Sequence, residues 1–135
     1  MLVLYQIGFL GPLILFCLTV YLAPRPYVYA LFFVANSVLN EGLKYLLHES
    51  RPPRGKTIMN EPTDPYGMPS GHAQSVFFSL AFLWLVRSPL PFIVLALGVA
   101  LLTVYQRWKY RQHTLAQLGA GSFLGILWAF VAANY

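Results

Sequence analysis

The sequence predicts an all-α protein, a polytopic transmembrane helical bundle of about five spans forming one membrane-embedded domain over residues 1–135. Three observations predict it. Apolar residues make up 58% of the chain and charged residues only 10%, whereas a soluble domain carries about 25% charge. The apolar residues fall in long runs, and a helix needs ~20 such residues to cross a bilayer. The formal charge is +5, but the basic residues sit at the ends of apolar runs. A nucleic-acid binder shows them on a solvated face. Membrane lipid is therefore the expected surrounding, and nucleic acid is excluded as a partner.

The runs follow in order. Residues 2–23 form the first, closed by two prolines in the PRP at 24–26. It is too long and lacks the basic start of a cleaved leader, so it is expected to be a retained span. Residues 27–47 form the second and carry Asn36, Asn40, Glu41 and Lys44. The one substantial loop, residues 50–71, is rich in proline and charge. Beyond it, residues 72–86, 91–105 and 114–133 form the third, fourth and fifth runs, the third ending at RSP, residues 87–89. The third and fourth are short, so their ends are expected below the headgroups. The single cysteine, Cys17, lies within a run and has no disulfide partner.

Five spans place the loops after the second and fourth on one side of the membrane. All nine Lys and Arg residues except Arg25 and Arg87, and all three histidines, fall in those loops or their flanks. Ionisable residues at membrane depth are costly and are functional candidates by default. Asn36, Asn40 and Lys44 stand at i, i+4 and i+8 and share one helical stripe. The two asparagines suit interhelical hydrogen bonding. Lys44 either snorkels to the headgroups or points at an anion.

The string YGMPSGHAQ, residues 66–74, reads as a helix start with Ser70 as cap. The free N–H groups of Gly71 and His72 then make an anion site, and His72 stands in the first turn. In QRWKYRQH, residues 106–113, a cation occupies every second position. Lys109 and Arg111 read as headgroup anchors. Arg107 closes the fourth run and His113 precedes the fifth, with Gln117 one turn further on and suited to hold the far imidazole nitrogen. Lys44, Arg51, Ser70, Gly71 and Arg107 thus supply donors to one place, flanked by two histidines. Carboxylates are few, and Glu41, Glu49, Glu61 and Asp64 are scattered along the sequence. Such a place suits a multiply charged oxyanion, and arginine's planar fork matches phosphate oxygens in pairs.

These strings resemble the signature of the type 2 phosphatidic-acid phosphatase superfamily, which is related to vanadium haloperoxidases. That signature runs K-x6-R-P, then P-S-G-H, then S-R-x5-H-x3-D. Here stand Lys44, Arg51 and Pro52; then Pro69, Ser70, Gly71 and His72; then Arg107 and His113 at the matching spacing. Gln106 replaces the serine, removing a hydroxyl donor, and Gln117 replaces the aspartate that orients the nucleophilic histidine. The string HTLAQ, with YGMPSGHAQ upstream, is similar to the dolichyl diphosphatase branch.

The resemblance implies that His113 attacks phosphorus and forms a phosphohistidine, and that His72 protonates the departing oxygen. Gln117 would orient His113, while Lys44, Arg51, Ser70, Gly71 and Arg107 would hold the phosphate oxygens. It implies no metal and no cofactor. The substrate would be a polyprenyl diphosphate such as dolichyl diphosphate, with the endoplasmic reticulum the expected membrane in a eukaryote and the plasma membrane otherwise. A phosphatidate, sphingoid phosphate or undecaprenyl diphosphate is the alternative substrate of the same class. Two other classes compete: a pseudoenzyme that binds lipid phosphate, motivated by the two glutamines, and a haem protein using two of the three histidines.

Overall fold

The computed structural model describes residues 1–53 and 64–135. Six helices appear among them: α1 (Leu2–Phe9), α2 (Gly11–Leu22), α3 (Pro26–Leu47), α4 (Gly71–Leu85), α5 (Leu90–Lys109) and α6 (Leu115–Ala133).

The first expected span is broken. α1 and α2 meet at 60° around Leu10, because Pro12, in the first turn of α2, has no N–H to continue the ladder and its ring crowds the preceding turn. By length and composition α5 and α6 can each cross a membrane, and α1 with α2 makes a third candidate as one broken span. α3 has 22 residues, but its polar stripe keeps it out of that group. α4 has only 15, so of the about five expected spans two or three meet the length and composition needed to cross a bilayer among the described residues.

α4 is the centre of the bundle. Residues all round it are buried, from Ala73 and Gln74 to Phe82 and Leu83, and α2, α3, α5 and α6 all pack on it. α6 lies closest, through Gly121 and Gly125. A Cβ at Gly121 would stand 2.4 Å from the Ser70 carbonyl oxygen, and one at Gly125 would stand 2.2 Å from that of Gln74. The small-residue pair therefore joins two helices of one bundle.

Two apolar clusters hold α4 in place. Leu15, Val76, Leu83, Val99 and Ala100 join α2, α4 and α5. Tyr29, Phe78, Phe82, Ala129 and Ala132 join α3, α4 and α6. Tyr29 stacks on Phe78 at 5.5 Å and 6°, and its hydroxyl meets Ser79 Oγ at 2.6 Å, which satisfies the buried phenol. The opposite faces carry exposed Leu31, Val34, Val38, Leu101, Leu127 and Phe130. That pattern suits hydrocarbon rather than water. The chain is an integral membrane protein.

Candidate functional site

The C-terminal ends of α3 and α5 and the N-terminus of α4 come together at one end of the bundle. Between them lies a cavity of about 500 Å³ whose wall includes Lys44, Arg51, Gly71, His72, Arg107 and His113. These six residues come from three separate strings of the sequence. The structure places each on that wall.

Lys44 does not snorkel. It is 6% exposed, and its amine meets Glu41 at 3.2 Å and Asp64 at 2.8 Å. Arg51 uses its fork on the same acid, with Nη2 on Asp64 Oδ1 at 2.8 Å and Nε on the Asp64 carbonyl at 2.9 Å. The acids are therefore not all scattered in space, because Asp64 joins both cations inside the cavity. Burial alone would raise the Asp64 pKa, but hydrogen bonds and charge from Lys44 and Arg51 outweigh it and hold the carboxyl below its ordinary value. Glu61, like Arg54 and Lys56, lies outside the described residues.

Ser70 caps α4 by accepting from the Ala73 N–H at 3.3 Å. It is fully buried and lies behind the wall, so Gly71 and His72 are the residues of that string that face the cavity. The turn before it is fixed from α3. Asn40 Nδ2 donates to the Pro69 carbonyl at 3.1 Å and to Gln74 Oε1 at 2.9 Å, and Gln74 Nε2 donates to Asn36 Oδ1 at 2.9 Å. The asparagine stripe is thus interhelical bonding that also positions the turn at Pro69.

Arg107, in the last turn of α5, is 3% exposed, and its guanidinium lies over the Phe9 ring at 5.9 Å. The chain then folds back, so that the N–H groups of Gln112 and His113 both donate to the Arg107 carbonyl, at 2.9 and 3.3 Å. This return places His113 beside the arginine six residues before it. Lys109 and Arg111 stay exposed, with the Lys109 amine over the Tyr105 ring at 5.6 Å. Gln106 is buried against α1 and is not on the cavity wall, so it does not stand where a hydroxyl would meet a ligand. His48 ends α3 in a left-handed conformation and packs edge-on to Tyr66 at 4.7 Å, away from the other two histidines.

The expected contact between Gln117 and His113 is not made. α6 begins at Leu115 with Thr114 as its cap, so His113 lies outside the helix and the one-turn spacing does not bring the two side chains together. Gln117 closes a capping box instead, with Oε1 accepting the Thr114 N–H at 3.1 Å. Its Nε2 donates to Glu49 Oε1 at 2.9 Å and to the Ser50 carbonyl at 3.0 Å. The group that holds His113 is the Gly67 carbonyl, 2.9 Å from Nδ1. A Cβ at Gly67 would stand 2.5 Å from Gln117 Oε1, so the end of the glutamine side chain packs directly on the glycine that holds the histidine.

Because a carbonyl only accepts, Nδ1 of His113 carries the proton and Nε2 carries the lone pair. Arg51 Nη1 donates to that lone pair at 3.1 Å. Burial, then the charges of Arg51 and Arg107, push the His113 pKa down to about 2, against the opposing bond to Gly67. A neutral, oriented imidazole with its lone pair turned to the cavity is equipped to attack the electrophilic centre of a bound oxyanion.

The sequence profile of the PAP2 superfamily matches residues 13–135. The chain belongs to the PAP2 superfamily. Among curated relatives, it is 30% identical to lipid phosphate phosphatase gamma of Arabidopsis thaliana over 103 residues, 68% of this chain and 45% of that protein. It is 33% identical to the chloroplastic lipid phosphate phosphatase epsilon 2 of the same plant over 106 residues, 71% of this chain and 34% of that protein. The chain thus spans less than half the length of these relatives. A solved structure, the transmembrane PAP2-type phosphatidylglycerolphosphate phosphatase of Bacillus subtilis, superposes with a TM-score of 0.73 at 21% identity, covering 98% of this chain and 74% of that one. The PAP2 fold therefore extends over nearly the whole chain.

The sequence reading missed Asp64, Gly67 and Phe9. Asp64 stands in an irregular loop with no periodic signal, and Gly67 acts through its backbone. Phe9 lies in an apolar run where nothing marks it out.

Proposed function

We propose that this PAP2 protein is a membrane lipid phosphatase that works through a phosphohistidine on His113, with a polyprenyl diphosphate as substrate. The observation that carries the chemistry is the state of His113, its Nδ1–H on Gly67 and its Nε2 lone pair directed at the Arg51 fork.

An incoming phosphate takes the Arg51 donor from Nε2 and so frees the lone pair. Nε2 then attacks phosphorus and the bond to the departing oxygen breaks with its electron pair, while His72 donates the proton that oxygen needs. The imidazolium formed at His113 is stabilised by the Gly67 carbonyl. Lys44, Arg51, Arg107 and the N–H groups opening α4 spread the charge of the transferring group, which is most of what phosphoryl transfer asks of a protein. Water, deprotonated by His72, then attacks phosphorus, releases inorganic phosphate and returns His113 to its starting state. No step needs a metal.

The two glutamines that favour a pseudoenzyme lose force here. Gln106 faces α1, and the Gly67 carbonyl takes the orienting place left by the aspartate. The string HTLAQ supports a polyprenyl diphosphate, whereas the curated relatives, named lipid phosphate phosphatases, favour a lipid monophosphate as the second reading. Phosphate release from the purified protein in detergent, with EDTA, across dolichyl diphosphate, undecaprenyl diphosphate, phosphatidate and sphingoid phosphate separates them. Preference for a diphosphate supports the first reading, preference for a monophosphate moves the assignment to the second, and no release on any lipid overturns both.

A further inference from the structure

The PAP2 match begins at residue 13, yet one residue before it touches two groups of the site. In a continuous helix the Phe9 carbonyl would accept from the N–H four residues on. The break that Pro12 imposes releases it, and it accepts instead from His72 Nε2 at 3.0 Å. The Phe9 ring lies 5.7 Å from the His72 ring and beneath the Arg107 guanidinium at 5.9 Å. We propose that the elbow between α1 and α2 is a positioning device for leaving-group protonation, in which the Phe9 carbonyl fixes His72 with Nε2–H outward and Nδ1 toward the departing oxygen.

The reasoning parallels that for His113. A bond at one imidazole nitrogen decides which nitrogen serves the reaction and restrains the ring. When Nδ1 takes up a proton, His72 is an imidazolium whose Nε2–H remains on a carbonyl, and the cation is stabilised there. When Nδ1 gives that proton to the leaving oxygen, the neutral ring keeps the same bond and needs no reorientation before it accepts a proton from water. The Phe9 side chain has a separate task, closing the cavity beside Arg107. Carbonyl and ring are thus separable by substitution.

This inference rests on the proposed phosphatase reading, with His72 as the acid, and the test is built to tell the two apart. Replacing Leu10 by its α-hydroxy acid turns the amide after Phe9 into an ester, which weakens the Phe9 carbonyl as an acceptor and leaves every side chain in place. The same replacement at Ile14 is the control for backbone esters. Rates are compared on a long-chain alkyl phosphate, which expels a basic alkoxide, and on para-nitrophenyl phosphate, whose leaving group needs little protonation.

The Leu10 ester is expected to lose about 5- to 20-fold in kcat/KM on the alkyl phosphate, part of the roughly 10²–10⁴-fold that a general acid supplies, and to change little on the aryl phosphate. Phe9→Ala keeps the carbonyl, so it should lower both rates together. Should the ester not fold, Pro12→Leu removes the ring that breaks the helix, lets the Leu13 N–H reach the Phe9 carbonyl as the helix runs on, and should reproduce the alkyl-selective loss. Nitrogen NMR of His72 in the substrate-free protein should show the Nε2–H tautomer in wild type and a mixture in the ester. Equal losses on both substrates, or an unchanged tautomer, overturn the role of Phe9. If His72→Ala itself shows no preference for the alkyl phosphate, the acid assignment in the proposed function fails instead.

Discussion

His113 donates its Nδ1–H to the carbonyl of Gly67 at 2.9 Å, across 46 residues of sequence, and this bond decides which imidazole nitrogen faces the cavity. Removing the imidazole removes the proposed nucleophile. His113→Ala is expected to abolish phosphate release and any acid-labile phosphoprotein on rapid quench, and near-normal release from that variant would show that the phosphoryl group goes elsewhere.

Burial and the charges of Arg51 and Arg107, which together outweigh the bond to Gly67, give His113 a distinctive titration. Its pKa falls from 6.5 to about 2, so the neutral ring is favoured in the folded protein. The stability this contributes is fully present above pH 6.5 and is lost progressively as pH falls toward 2. Nitrogen NMR of the substrate-free protein should therefore show no His113 titration between pH 5 and 8. A midpoint near the ordinary histidine value would mean that the ring is open to water and screened from the two arginines.

Arginines at the site and outside it make a matched comparison. Arg51→Lys and Arg107→Lys keep charge but lose the planar fork, so each should cost at least ~10-fold in kcat/KM, or about 1.4 kcal/mol of transition-state stabilisation. Arg111 is exposed and off the cavity wall, so Arg111→Lys should be nearly silent. Equal losses at all three would point to general electrostatics instead of a shaped oxyanion site.

Asp64 pairs with Lys44 and Arg51 at 2.8 Å each, and a phosphate competes with it for both. Asp64→Asn should bind inorganic phosphate about 3- to 10-fold tighter, the scale of one partly screened charge at this range. Inhibition by phosphate measures it. Weaker inhibition would show that Asp64 holds the two cations in place for the ligand.

Gln117 now carries a structural expectation. It joins the start of α6 to Glu49 and Ser50, so Gln117→Ala should lower thermal stability by about 1 kcal/mol, typical of a lost cap. The tautomer of His113 should stay unchanged in the variant that remains folded. A switch to Nε2–H on nitrogen NMR would restore Gln117 to the orienting role that the spacing suggested.

The sequence by itself determined the all-helical membrane class, the cap at Ser70, and the convergence of Lys44, Arg51, Gly71, His72, Arg107 and His113. Apolar runs, cap chemistry and fixed spacings within short strings are local, so they survive in one dimension. Helix periodicity also placed Asn36, Asn40 and Lys44 on one stripe. Only the tertiary structure decided what holds His113 and His72, because both partners are backbone carbonyls, of Gly67 and Phe9, which every residue carries and no sequence pattern marks. It also decided the pairing of Asp64, whose loop obeys no period. The Gln117 contact failed for a related reason: one-turn spacing is a rule for residues inside a helix, and α6 begins two residues after His113.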